Sequence, residues 1–171
     1  HDRNEASQFA DRIVDIRSLH RPSRVVRITT DDLLPLRMAV LRDGTPSQDP
    51  RYTEDDWDVT THLALYKHEE IVGTSSWLTK VFPLPHAHSN NFDTQLRGMA
   101  VDQSLQSTGL GAELLLFGVQ MAQRNGAGIV WARARDSALK FYEKNGFTTV
   151  GDAFLDEATG MSHHLVYFQC S

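Results

Sequence analysis

The sequence is poor in cysteine and has no long hydrophobic run. Its 171 residues include one cysteine, Cys170, which excludes an intrachain disulfide and any zinc cluster built on cysteines. No segment approaches the roughly 18 consecutive apolar residues of a membrane-spanning helix, and no signal-peptide pattern opens the chain. These absences predict a cytoplasmic protein with no membrane partner.

Charge of either sign is also modest. The chain has 17 Lys and Arg residues against 22 Asp and Glu residues, so its formal net charge is −5. A mildly acidic chain is not expected to bind nucleic acid. Apolar residues make up 40% and charged residues 23%, as in ordinary globular domains. With no Pro-, Gly- or Ser-rich linker, residues 1–171 are predicted to form one domain, in which residues 1–20 add an N-terminal helical extension.

The hydrophobic pattern predicts strands and helices in a mixed order. Strands are indicated at residues 24–29, 62–66, 71–78, 94–101, 128–133, 147–151 and 164–168. Helices are indicated up to residue 41, at 108–125 and at 137–145. Pro35 is compatible with the first of these helices only if it lies in the first turn, and Asp136 is the predicted N-cap of the third. Residues 43–58 form a predicted acidic loop with Trp57 against the core. This order favours one mixed sheet with helices on both faces.

A glycine-containing motif, Q-x-x-G-x-G, covers residues 106–111 between a predicted strand and an apolar helix. The first turn of a helix has unpaired N–H groups and the positive end of the helix dipole, and glycines let an anion approach the main chain. The motif predicts a phosphate site, although an ordinary tight strand-to-helix connection has the same pattern. It is not a Walker loop, since Ala112 replaces the lysine, nor a dinucleotide fingerprint, which needs a third glycine.

A second motif, A-x-x-F-Y-x-K-x-G-F, covers residues 138–147. In this order the two motifs resemble the GNAT superfamily of acyl-CoA-dependent N-acetyltransferases, and the resemblance spans residues 96–168, the implied acyl-CoA-binding and catalytic core. It implies an α/β fold with a mostly antiparallel mixed sheet of six to seven strands and helices on both faces. It also implies acetyl transfer from acetyl-CoA to the primary amine of a small molecule by direct attack, without a metal.

The resemblance assigns roles to individual residues. Tyr142 matches the tyrosine that protonates the departing CoA thiolate, and Glu157 and His163 are candidates for the base that takes the amine proton. Arg135 departs from the asparagine that many members carry at its position. The residues that match the coenzyme-binding strand, the phosphate loop and the second motif are Met99, Ala100, Val101, Gln106, Ser107, Thr108, Gly109, Leu110, Gly111, Ala112, Arg135 and Ala138.

Several alternatives stay open at this level. His62, Asp93 and His164 are further candidates for the base. In one alternative the acceptor is a lysine or the N-terminus of a protein, and in another the chain is a non-catalytic module that senses acyl-CoA. The apolar last strand and the N-terminal extension also make a homodimer an expectation.

Overall fold

The computed structural model of the protein describes residues 23–86 and 92–171. The predicted N-terminal helical extension lies outside the described residues. The strands and α-helices follow in the order β1 (Arg24–Ile28), α1 (Thr30–Leu41), β2 (Thr60–Lys67), β3 (Glu70–Thr79), β4 (Phe92–Val101), α2 (Leu110–Arg124), β5 (Ala127–Arg135), α3 (Leu139–Lys144), β6 (Thr148–Leu155) and β7 (Ser162–Gln169). Short 3₁₀-helices precede β2, α2 and α3, at Thr53–Asp56, Gln103–Leu105 and Asp136–Ala138.

The strands form one 7-stranded sheet in the order β1-β2-β3-β4-β5-β7-β6. Strands β4 and β5 are parallel, and the other described neighbours are antiparallel. A parallel pair needs a crossover connection, which α2 supplies between β4 and β5. The prediction of a mixed, mostly antiparallel sheet of six to seven strands is therefore confirmed.

The helices cover both faces of this sheet. Neighbouring residues of β3 point to opposite faces, so their contacts show which helix lies on each face. On one face Trp77 packs under α2, where a Cβ on Gly118 would lie 1.8 Å from the indole ring. On the other face the Ser76 hydroxyl accepts a hydrogen bond from Arg37 of α1 at 2.8 Å. The close approach of α2 to the indole therefore requires glycine at 118, and the predicted two-sided arrangement is confirmed.

The main hydrophobic core lies between α2 and the sheet. Its fully buried aliphatic side chains come from β2, α2, β5 and β7: Leu63, Leu65, Leu114, Leu115, Val130 and Val166. The longest described helix, α2, has 15 residues. Within residues 23–86 and 92–171 there is no helix long and apolar enough to cross a membrane.

The acidic stretch between α1 and β2 departs from its sequence-based prediction. Trp57 is 44% exposed instead of lying against the core. The buried member of the stretch is Asp55, because the guanidinium of Arg37 binds its two carboxylate oxygens at 2.7 and 3.1 Å. A buried ion pair, and not the indole, therefore attaches this loop to α1.

Two local predictions about helices were also wrong. Since α1 begins at Thr30, Pro35 lies in its second turn, on the exposed side, where the missing N–H leaves one helical hydrogen bond unmade. Asp136 does not cap α3, because β7 runs beside the turn. The Asp136 carboxylate instead accepts a hydrogen bond from the Ser162 hydroxyl and contacts Nδ1 of His164, both at 2.7 Å.

Candidate active site

The parallel strands β4 and β5 separate towards their carboxyl ends. Their backbone pairing ends at Leu96 and Ala132, although β4 continues to Val101 and β5 to Arg135. The sheet therefore opens between the two strands. Main-chain groups on the facing edges of this opening are left available to a ligand.

A β-bulge on β4 lies beside the opening. Gly98 and Met99 together oppose one residue of β3, Ser75. Gly98 has a φ of +60°, and a Cβ at this position would lie 2.9 Å from Nε of the buried Arg37. Both the backbone conformation and the close approach require glycine. Arg37 of α1 thus supports the strand at the point where the sheet opens.

A cavity of about 380 Å³ occupies the opening. Its remaining walls come from the end of α1, the loop that follows α1, and the turn between β6 and β7. Among the residues predicted for the site, those that line this cavity are Met99, Arg135, Ala138, Tyr142 and His163. In the described part of the chain, no group of three or more His, Cys, Asp or Glu side chains is arranged to hold a metal ion.

Tyr142 lies at the wall of the cavity with its ring held by aromatic neighbours. The ring centroids of Phe141 and Phe147 are both 5.3 Å away, in edge-on arrangements. Tyr142 is 6% exposed, and burial raises the pKa of its hydroxyl above the ordinary value. No described residue forms a hydrogen bond with this hydroxyl. It is therefore a protonated donor that is available to a ligand.

His163 of β7 also lines the cavity and is 7% exposed. Its Nδ1 lies 2.8 Å from the carbonyl oxygen of Met161. Because a carbonyl oxygen only accepts, Nδ1 carries the proton of the neutral ring and Nε2 keeps a lone pair. The ring stacks on Phe154 with 5.8 Å between centroids. These contacts fix a tautomer and an orientation that suit a proton acceptor.

Glu157, the predicted acidic partner, is exposed in the turn between β6 and β7, and its neighbour Asp156 lines the cavity instead. The Asp156 carboxylate accepts hydrogen bonds from the N–H and hydroxyl of Thr159 at 3.0 and 3.1 Å. Burial alone would raise the pKa of Asp156, but these bonds, with His163 and Arg133 nearby, lower it. An Asp three residues before Thr-Gly is typical of such a turn, and this signal would have indicated Asp156.

Three further candidates for the base lie outside the cavity lining and have partners of their own. His164 contacts the Asp136 carboxylate, as described above. Nδ1 of His62 lies 2.6 Å from the Ser76 hydroxyl. Asp93 accepts a hydrogen bond from a backbone N–H at 2.9 Å. These contacts are structural, so His163 is the histidine candidate that the structure places in the cavity.

The Q-x-x-G-x-G motif forms the start of α2, on a surface separate from the cavity lining. Gly109 is the N-cap with a φ of +88°, and no side chain caps the helix. Space around Gly109 is open, whereas a Cβ on Gly111 would lie 3.3 Å from the Phe141 ring. The loop therefore presents backbone N–H donors, at the positive end of the helix dipole, to any anion that approaches.

Sequence reasoning missed the residues that α1 and the loop after it bring to the cavity. The guanidinium carbons of Arg97 and Arg42 lie 4.0 and 5.6 Å from the centroid of the Tyr52 ring. Arg42 and Tyr52 belong to no motif, and no local spacing marks them. The packing of α1 on the sheet, which includes the contact between Arg37 and Gly98, brings them to the site.

An opened parallel strand pair, an uncapped helix start beyond it and a cavity at the opening are features of an acyltransferase fold of the GNAT type. The model of the acetyltransferase (GNAT) family matches residues 30–147. Since this match covers more than half of the sequence, the chain belongs to the GNAT acetyltransferase family. The predicted family membership is confirmed, and by family the protein is an acyltransferase.

Relatives agree with this membership. The uncharacterized N-acetyltransferase YitI of Bacillus subtilis (strain 168) is 24% identical over 145 residues, which cover 85% of this chain and 94% of YitI. The crystal structure of Escherichia coli ElaA has a TM-score of 0.67 at 17% identity and covers 86% of this chain and 99% of its own. A Bacillus subtilis acetyltransferase in complex with CoA has a TM-score of 0.61 at 17% identity and covers 88% and 100%. At these identities, the two solved structures show a shared fold.

Proposed function

We propose that the protein transfers an acetyl group from acetyl-CoA to the primary amine of a small molecule, by direct attack of the amine. One observation carries this proposal: Tyr142 and His163 both line the cavity at the β4–β5 opening. Its volume of about 380 Å³ is within the range of small-molecule sites. Membership of the GNAT family supports the acyl transfer.

The residues around the opening fit coenzyme A. The uncapped N–H groups at the start of α2, with Gly109 and Gly111, suit the pyrophosphate. The main-chain groups of β4 from Met99 to Val101 suit the amides of the pantetheine arm. A solved structure of similar fold contains CoA, which supports the same ligand here. When bound, acetyl-CoA supplies the acetyl group as a thioester.

Tyr142 is the proposed general acid. Because burial raises the pKa of its hydroxyl, the proton stays on the oxygen at neutral pH. The hydroxyl can then give this proton to the sulfur as the carbon–sulfur bond breaks. A main-chain N–H of β4 beside the bulge is the proposed donor to the carbonyl oxygen, which gains negative charge as the amine attacks.

His163 is the proposed general base. An alkylammonium has a pKa of about 10.4, so it must lose a proton before its nitrogen can form the new bond to carbon. Nε2 of His163 accepts that proton, since Nδ1 is held by the Met161 carbonyl. The lowered pKa of Asp156 keeps a negative charge nearby, which stabilises the protonated ring.

The test measures release of the CoA thiol from acetyl-CoA with a panel of small amines, and identifies the acetylated amine by mass spectrometry. We expect His163→Gln to lower kcat by about 10²-fold. The matched variant His164→Gln, on the same strand but outside the cavity, is expected to keep wild-type activity. Equal loss in both variants would assign His163 to folding. Acetylation of a protein or peptide without any small amine would favour the protein-acceptor alternative.

A further inference from the structure

The cavity concentrates positive charge in a chain whose net charge is −5. Its described lining contains no lysine but holds five arginines and two aspartates: Arg42, Arg51, Arg97, Arg133, Arg135, Asp49 and Asp156. Arginine has a planar fork of N–H donors that matches a carboxylate in a two-point contact. The lining therefore favours an anionic ligand, against the charge of the chain as a whole.

Three of these arginines already have a carboxylate partner in the protein. The pairs are Arg97 with Glu54 at 2.8 Å, Arg51 with Asp31 at 3.1 Å, and Arg133 with Asp156 at 3.5 Å. Their charges are compensated without a ligand. Arg42 and Arg135 differ, because in the described ranges neither guanidinium contacts a carboxylate.

The hydrogen bonds of Arg42 and Arg135 go to neutral groups. Nε of Arg42 donates to the carbonyl oxygen of Asp49 at 3.0 Å, and Nη2 of Arg135 donates to the carbonyl oxygen of Leu41. Arg42 is 7% exposed. Burial has the largest effect on the pKa of the Arg135 guanidinium and lowers it, and the charge of Arg42 also lowers it, while Tyr52 and the Asp156 carboxylate act in the opposite direction. Arg135 is half-buried, and two like charges with reduced access to water are stabilised by an anion that binds both.

Arg135 also lies next to the proposed base. It is the register partner of His163 between β5 and β7, and both residues line the cavity. Register partners in adjacent antiparallel strands present their side chains on the same face. The anion-binding guanidinium and the proton-accepting ring are therefore neighbours. A ligand with its carboxylate and its amine on one carbon fits this arrangement.

We infer that Arg42 and Arg135 bind the carboxylate of an α-amino acid whose amine is the acetyl acceptor. This inference rests on the proposed function and names the class of its acceptor. It assigns Arg135 to the acceptor instead of the pantetheine arm. The pyrophosphate is not the anion in question, because residues 106–112 do not line the cavity.

Matched substrates test the inference without any substitution. Thiol release from acetyl-CoA gives kcat/KM for each standard α-amino acid, for its methyl ester and for the amine that lacks the carboxylate. We expect the best amino acids to exceed their matched ester and amine by at least about 10²-fold, because a site built for a carboxylate rejects analogues without one. Thiol release with equal kcat/KM for all three forms would overturn the inference and leave the proposed function standing.

Two variants locate the carboxylate. Arg42→Gln and Arg135→Gln are each expected to raise KM for the amino acid at least about tenfold, with KM for acetyl-CoA within about twofold. Arg42→Lys keeps the positive charge but lacks the planar set of N–H donors, so its KM for the amino acid is expected to lie between those of the wild type and Arg42→Gln. Arg124→Gln, which removes an exposed arginine at the end of α2, is the matched control and should change neither KM. A rise confined to KM for acetyl-CoA would assign the pair to the coenzyme and overturn the inference.

Binding is measured separately from turnover. N-acetyl amino acids should raise the unfolding temperature of the wild type, and their uncharged amides should not. The rise should be absent in Arg42→Gln, whose far-UV circular dichroism checks its folding. No rise with any N-acetyl amino acid would overturn the inference. Binding of these compounds without thiol release from any amine would remove the proposed function and leave the anion site in place.

Discussion

The two sides of the proposed active site are built from different parts of the molecule and in different ways. The proposed coenzyme side comprises residues 99–112 and 138–142, which belong to β4, the start of α2, and α3 and contain the two sequence motifs. The proposed acceptor side comprises residues 41–52 and 156–163, which are far apart in the sequence. Main-chain N–H groups and glycines dominate the coenzyme side, whereas charged side chains dominate the acceptor side.

This difference explains why only one side carries a sequence motif. A ligand held by backbone groups needs glycines and a helix start at fixed spacing, and that spacing is visible as Q-x-x-G-x-G. A ligand held by side chains needs only that the fold bring them together. Arg42 reaches the cavity from the end of α1 and His163 from β7, and no spacing relates the two.

The largest effect is expected on the coenzyme side. Gly111→Glu adds a carboxylate where the anion would bind, and even its Cβ would lie 3.3 Å from the Phe141 ring. We expect affinity for acetyl-CoA, measured by calorimetry, to fall below detection. Gln123→Glu adds the same charge at the opposite end of α2 and should bind normally. Normal binding by Gly111→Glu would place the pyrophosphate elsewhere.

Tyr142→Phe addresses the point where the two sides meet. The variant keeps the ring between Phe141 and Phe147 and removes only the proposed acid. We expect kcat to fall by about 10²-fold with little change in KM for acetyl-CoA, since a leaving-group acid acts in the transition state. Tyr167→Phe, on β7, is the control for loss of a hydroxyl. Unchanged kcat in Tyr142→Phe would assign this tyrosine to packing.

Gly98→Ala tests whether α1 supports the opened strand. Alanine at a φ of +60° is strained, and its Cβ would lie 2.9 Å from Nε of Arg37, so we expect a stability loss of about 2 kcal/mol. Thermal unfolding should show this as a fall in Tm of about 4–8 °C. Gly160 has a similar φ of +67°, but the space around an added Cβ is open, so Gly160→Ala measures the cost of backbone strain alone. Equal losses in both variants would mean that Arg37 does not restrict the bulge.

The smallest effect is expected at Glu54, which links the loop after α1 to the sheet. Burial alone would raise its pKa, but the hydrogen bond from Lys80 and the charges of Arg97 and Lys80 lower it. The unfolded state therefore binds more protons, and this stabilisation is present above the unfolded pKa and lost as pH falls through the folded one. Glu54→Gln should cost about 0.5–1 kcal/mol at neutral pH and less near pH 3, as chemical denaturation would show. An equal cost at both pH values would exclude the ion pairs as its cause.

Local signals predicted most of the fold correctly. The apolar run of α2 and the alternating strands fall where the sequence pattern placed them, within a few residues at each end. Errors arose where a distant partner competes with a local preference. Asp136 has the chemistry of a helix cap, but Ser162 and His164 engage its carboxylate. Trp57 was expected in the core because it is apolar, but burial of Asp55 with Arg37 sets the position of the loop.

The family, the mixed sheet and the uncapped glycine loop at the start of α2 follow from the sequence alone. Each of these depends on residues that are close in the chain, where backbone geometry links spacing directly to structure. The tertiary structure alone decided which side chains share the cavity. It placed His163 there instead of His164, and it brought Arg42 and Arg135 into the same lining. Contacts between remote segments depend on the packing of whole helices and strands, and no local pattern encodes them.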